Sequence, residues 1–200
     1  MALRNRVTPL GEIVADPARG LVYGNRGCLH DARGELRRQW QVKRWIACRL
    51  EFPGRRRHPL RQPGRYTELF FLDEATAFAA GHRPCAECRR ADYDRVVELC
   101  GLRAEPLDRR LHAERLDGRA RRLHETRLEA LPDGAFVLDG GEPWLVRGRE
   151  LLRWTAAGYR ERRRRPRGRT LAVTPPTLLE LLAAGWEGGV PLLHPTAARK

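Results

Sequence analysis

Lysine is almost missing from this chain: of its 39 basic residues 37 are Arg, and Lys43 and Lys200 are the only lysines. Long apolar runs are missing too. No stretch approaches the ~20 residues that a membrane helix needs, so a membrane-spanning protein is not expected. Met1-Ala-Leu-Arg-Asn-Arg is charged but leads into no apolar segment. A secretory leader is therefore not expected, and the chain reads as cytoplasmic. Internal repeats and low-complexity segments are absent, which excludes solenoids and compositionally disordered proteins. What is there is globular: 200 residues with 42% hydrophobic and 32% charged residues. That length suits one domain with an appendage, or two small domains.

The charge is strongly one-sided. Against 39 basic residues stand 25 acidic ones, a formal +14. Such an excess points to polyanionic partners. It is spread evenly, since residues 1–100 carry 19 basic and 12 acidic groups and residues 101–200 carry 20 and 13, so each half is +7. The charge therefore predicts partners only where it clusters, at Arg55-Arg56-Arg57 and between Arg160 and Arg169, where seven Arg accompany one Glu. Arg55, Arg56, Arg57 and the run Arg162, Arg163, Arg164, Arg165 are the candidate phosphate contacts; a solvated basic loop is the plain alternative for the second cluster.

Patterning predicts an α+β fold. Leu21-Val22-Tyr23 reads as a strand closed by a Gly-Asn-Arg-Gly turn, and residues 42–52 as a longer strand with Cys48 on its apolar face. Leu69–Leu72 is a short buried strand. Asp73 then caps an Ala-rich helix over 74–80, which Gly81 ends. A tight turn holds Cys85-Ala-Glu-Cys88, and Tyr93, Val96, Val97 and Cys100 recur at helical spacing behind it. Residues 107–130 read as a Leu/Arg helical stretch broken at Asp117-Gly118, and 136–154 as an antiparallel meander. A strand at 170–173 and a helix from Pro176 to Gly185 complete the chain. The expected layout is a zinc-type module with N-terminal strands over 1–102, a helical connector over 103–130, and a small β-rich domain with a C-terminal helix over 131–200.

Five cysteines in a cytoplasmic chain point to metal ligands or core residues before disulfides. Cys85 and Cys88 have ligand spacing: two thiolates on one turn can face a single Zn²⁺. A redox pair would want a thioredoxin-like βαβ setting, which the pattern lacks.

Around that pair, Trp45-Ile-Ala-Cys48-Arg49, Gly54-Arg-Arg-Arg57, Phe70-Phe71, Glu74-Ala75 and Ala79-Ala-Gly-His-Arg-Pro-Cys85-Ala-Glu-Cys88-Arg89 carry a resemblance. In order and approximate spacing they resemble the zinc-binding N-terminal domain of the Ada family of DNA methylphosphotriester-repair proteins. The resemblance covers about residues 45–90, and four Cys bind zinc in that family. By position it makes Cys48, Cys85 and Cys88 ligands and Cys48 a methyl-accepting nucleophile, while Phe52 stands in place of the remaining Cys. A fourth ligand could be Cys28, His58, His30, His82 or water. The resemblance also favours DNA over RNA as the partner.

His112-Ala-Glu114 and Pro84-Cys-x-x-Cys88 together contain the halves of a zinc-deaminase signature, in reversed order. Three function classes follow. The leading one is a zinc protein that binds nucleic acid through its Arg clusters, with a link to DNA repair. The second is enzymatic: a zinc-activated Cys48 methyl acceptor, or a small-substrate zinc hydrolase. The third is a structural zinc domain for protein–protein contact.

Overall fold

The structure, a computed structural model, describes residues 2–53, 59–186 and 192–198 and has a mixed α+β architecture. The first sheet is built from β1 (Arg4–Val7), β2 (Ile13–Ala15), β3 (Val22–Asn25), β4 (Ile46–Cys48), β5 (Leu69–Phe71) and β6 (Arg83–Pro84), in the order β2-β1-β5-β3-β4-β6. β1 and β5 run parallel, as do β4 and β6; the other neighbours are antiparallel. Between β5 and β6 lies α1 (Glu74–Ala79). After β6 come α2 (Arg90–Cys100), α3 (Ala104–Arg115) and a small hairpin, β7 (Leu116–Asp117) with β8 (Ala120–Arg121). A second, antiparallel sheet holds β9 (His124–Arg127), β10 (Phe136–Asp139), β11 (Glu142–Arg147), β12 (Glu150–Thr155), β13 (Gly158–Arg164) and β14 (Arg169–Ala172), in the order β13-β12-β11-β10-β14-β9. α4 (Pro176–Ala183) follows. No helix among the described residues is long and apolar enough to cross a membrane.

The Ala-rich helix forms as its sequence predicts. The Asp73 carboxylate accepts from the Thr76 amide at 2.8 Å, and Gly81 at φ +83° ends the helix, its amide donating to the Phe78 carbonyl at 2.8 Å. A Cβ on Gly81 would also stand 2.6 Å from Arg115 Cδ, so this position needs glycine for space as well as for its left-handed backbone. All six residues of α1 are buried. Ala77 and Ala80 pack with Val7, Leu69 and Phe71; Ala75 and Ala79 pack with Phe136, Leu145 and Leu152 of the second sheet; Phe78 joins Trp144, Leu178 and Trp186. The small methyl faces let two sheets approach one helix, and the core around Phe78 runs across residues 103 and 131, where the sequence suggests boundaries.

Three expectations need correction. The strand foreseen over 42–52 is confined to Ile46–Cys48. The preceding segment is turned, because the Gln41 and Val42 amides both donate to the Arg26 carbonyl and Trp45 Nε1 donates back to the Val42 carbonyl at 3.0 Å. The helical connector foreseen over 103–130 stops at Arg115 and continues as β7, β8 and β9. Gly118, at φ +60°, supplies the hairpin turn, and β9 finds its partner in β14, a distant strand that no local pattern announces. The basic segment at 160–169 is largely β13, not a loop. It forms the edge of its sheet, where a row of charged side chains discourages pairing with another chain.

Candidate metal centre

The register of two strands brings the cysteines together. β4 and β6 pair in parallel with Ile46 opposite Arg83 and Ala47 opposite Pro84, so the next step along both strands sets Cys48 beside Cys85. The Cys85 amide donates to the Ala47 carbonyl at 2.9 Å and locks that step. Gly24 permits the approach of β3 on the other side: a Cβ there would stand 2.2 Å from the Ile46 carbonyl oxygen. The turn after Cys85 then folds Cys88 back, and the three Sγ atoms of Cys48, Cys85 and Cys88 lie within 4.8 Å of one another, all buried. Among the described residues this is the sole group of three or more Cys, His, Asp or Glu that could hold a metal ion.

The donors fit a metal in chemistry as well as in spacing. Tetrahedral zinc with sulfur at ~2.3 Å separates its sulfurs by roughly 3.8 Å, a spacing this trio can adopt. Backbone amides are aimed at the sulfurs: those of Glu87 and Cys88 donate to Cys85, and that of Arg49 donates to Cys88. Amide donors stabilise thiolate, the form that binds metal. A thiol proton on Cys48, donated towards both partners, holds Cys85 down to about 5 and Cys88 to about 7, helped by those amides. The same two hydrogen bonds, with burial, push Cys48 upward. In the metal-free trio the shared proton thus favours thiolate at Cys85 and Cys88 and thiol at Cys48.

A proton count follows. At pH 7.5 a divalent metal should displace about one proton per ion, that of Cys48, where three ordinary thiols of pKa ~8.5 would release nearly three. Below pH 7 Cys88 takes up a proton as well, so the count should rise towards two and affinity should fall as acid is added. Calorimetry in buffers of different ionisation enthalpy measures this; three protons at pH 7.5 would show that the thiols do not share one proton.

The remaining candidate ligands are placed elsewhere. Cys28, half-buried, does not join the trio; its Sγ lies 3.5 Å from the His30 carbonyl oxygen. His30 is held by Thr67 Oγ1 at 2.6 Å and the Gln62 carbonyl at 3.2 Å. His82 accepts from Arg26 Nε at 3.1 Å and is kept neutral by burial and by the charges of Arg26, Arg115 and Arg121. His58 and Arg55, Arg56 and Arg57 lie outside the described residues. Phe52 packs against the trio with Tyr23, Ile46 and Phe70, and together they cover Cys48, whose exposure is 2%. Cys48 therefore lies behind apolar side chains, an enclosed position for a nucleophile. His112 and Glu114 do not reach the trio: His112 sits edge-on to Trp40, and Glu114 receives the Thr177 amide and hydroxyl at the start of α4.

Sequence reasoning missed the buried cations that hold this region. Arg115 donates to the Gly81 and Lys43 carbonyls at 2.9 and 2.5 Å, and Arg121 to those of Ala79 and Val173. Arg26 donates to the Gly11 carbonyl at 2.8 Å, and the guanidinium carbons of Arg26 and Arg115 each lie 3.9 Å from the centre of the Trp45 ring. The carbonyls that end α1 carry partial negative charge, which Arg115 and Arg121 neutralise a few residues before Cys85. In a chain with 37 Arg, nothing local marks these three as the ones that turn inward.

Cys85 also forms part of the wall of a cleft of about 1270 Å³. Its lining comes from the segments around Cys28, Lys43 and Tyr66, from the 83–87 segment, and from Tyr93 of α2 and the start of α3. Within that lining Arg83 is paired with Asp108 and Arg109 with Glu105. The second Arg cluster is far more occupied than its sequence suggests. Arg162 pairs with Glu150, Arg163 lies over Trp144 and pairs with Asp139, and Arg165 donates to the Leu128 and Leu131 carbonyls. Arg164 remains exposed.

Comparison of the chain with protein-family models, with curated proteins and with solved structures gave no match.

Proposed function

We propose that this chain is a zinc protein that binds nucleic acid, with DNA favoured and a link to DNA repair. The observation that carries the reading is the buried Cys48, Cys85 and Cys88 trio with backbone amides aimed at its sulfurs. Soft thiolate donors in a closed, buried site select zinc over harder divalent ions. Three thiolates leave one position of a tetrahedral ion for a ligand outside the trio. When bound, the zinc would hold the thiolates ionised and cross-link β4 to the turn after β6. The resemblance to the Ada zinc domain and the +14 charge support the nucleic-acid half of the reading.

Purified protein should carry about one zinc per chain. Its affinity for an oligonucleotide should fall as salt rises, linearly in the logarithms, because phosphate contacts release counterions. Protein purified without metal that takes up no zinc on titration would overturn the zinc half; affinity indifferent to salt would overturn phosphate contact.

A structural zinc domain that binds another protein is the second reading. The internal pairing of Arg162, Arg163 and Arg165 favours it, since charges already used within the fold are less available to phosphates.

A further inference from the structure

The cleft beside Cys85 gathers three unpaired cations around one exposed aromatic ring. Lys43, Arg44 and Arg65 are exposed, line the cleft and pair with no carboxylate among the described residues. The other cations of the cleft are already neutralised, Arg83 by Asp108 at 2.8 Å and Arg109 by Glu105. Tyr66 lines the same cleft as the free cations, an exposed aromatic ring in a protein that buries most of its aromatics. The turn beside it is opened by Gly64, at φ +71° with no atom within 4 Å of where a Cβ would sit.

We propose that this cleft is a groove for single-stranded nucleic acid, resting on the nucleic-acid reading above and giving it a site. Lys43, Arg44 and Arg65 contact successive phosphates, and a base stacks on Tyr66. A duplex keeps its base faces stacked inside and is read by elements that project into its grooves. A concave wall with an exposed ring is instead matched by a strand whose bases are free to turn onto it. The location displaces the contact surface from Arg162–Arg165, which serves its own sheet edge, to the neighbourhood of the cysteine centre.

The test uses the full, zinc-loaded chain and fluorescently labelled oligothymidylate and oligouridylate of roughly 12 nucleotides, within the range of single-strand site sizes. A duplex of equal length and polyglutamate serve as competitors. Single strands should bind more tightly than the duplex, and the DNA and RNA arms report which sugar is preferred. Replacing Lys43, Arg44 and Arg65 together by Ala should lower the salt slope by about 2, near 0.7 for each phosphate no longer neutralised. Tyr66→Leu should weaken binding about tenfold, Tyr66→Phe should restore it, and Arg119→Ala, an exposed residue outside the cleft lining, should leave it unchanged. Equal or tighter duplex binding would overturn the single-strand assignment, as would polyglutamate competing as well as oligothymidylate. Oligonucleotide binding that ignores the triple variant would overturn the cleft and leave the nucleic-acid reading standing. No binding of any oligonucleotide at low salt, with zinc in place, would overturn both.

Discussion

Serine at Cys85 is expected to strip the metal from the protein and to lower its melting temperature by roughly 8–16 °C. An ion that binds only the folded chain, present at about a thousand times its dissociation constant, contributes about 4 kcal/mol. For a chain of this size each kcal/mol is worth roughly 2–4 °C. The fold keeps its three apolar cores around α1 without the ion, so partial melting of the cysteine region, not collapse of the whole, is the expected result. Cys48→Ser and Cys88→Ser should behave alike, because all three sulfurs belong to one group. Cys28→Ser should keep the metal, since that side chain stands apart from the trio. Scanning calorimetry with metal analysis decides it: a chelator should destabilise the wild type by the same amount and leave Cys85→Ser unchanged. Loss of metal in Cys28→Ser would instead place Cys28 in the ligand set.

How much of the fold and the site is legible in the sequence depends on the range of the interaction concerned. Asp73, the alanines and Gly81 act within a few residues of one another, so α1 and its two ends can be read directly. The Cys85–Cys88 turn is equally local, and the period of β4 sets Cys48 on a buried face. The meander of β10, β11 and β12 is announced by its turns. The failures are long-range. β9 reads as the tail of a helix because the apolar positions from Leu107 to Leu128 around it, Ala120 among them, recur at three to five residues, yet its strand character comes from β14, more than forty residues on. Likewise the Arg162–Arg165 run looks like a nucleic-acid patch by count alone. Whether a guanidinium is free depends on Glu150, Asp139 and the Leu131 carbonyl, which only the folded sheet brings near. The inward placement of Arg26, Arg115 and Arg121 is invisible for the same reason: composition records how many cations there are, not which of them end against backbone carbonyls inside the fold.

Glu74→Ala is expected to cost about 3–5 kcal/mol and to loosen the metal site at a distance. Glu74 is fully buried at the start of α1, and its carboxylate pairs with Arg89 while accepting from Trp186 Nε1 at 3.3 Å and the Leu192 amide at 3.1 Å. Arg89 is itself 8% exposed and also engages Asp92 at 2.6 Å. Removing one member of a buried ion pair leaves the other desolvated and incompletely compensated, which is where a penalty of about 3–5 kcal/mol comes from. Arg89 directly follows Cys88, and its backbone amide bonds the Cys85 carbonyl at 3.1 Å, so a displaced guanidinium pulls on the turn that presents both sulfurs. Metal affinity should fall together with stability. The double variant Glu74→Met with Arg89→Met separates the two effects: it leaves no stranded charge and should recover most of the stability. Its metal affinity should stay below that of the wild type, because the ion pair that tethers the turn to α1 is gone. Denaturant midpoints at unchanged m-value, read beside competition with a zinc chelator, give both quantities. A double variant as unstable as Glu74→Ala would mean that packing, not the stranded charge, sets the cost.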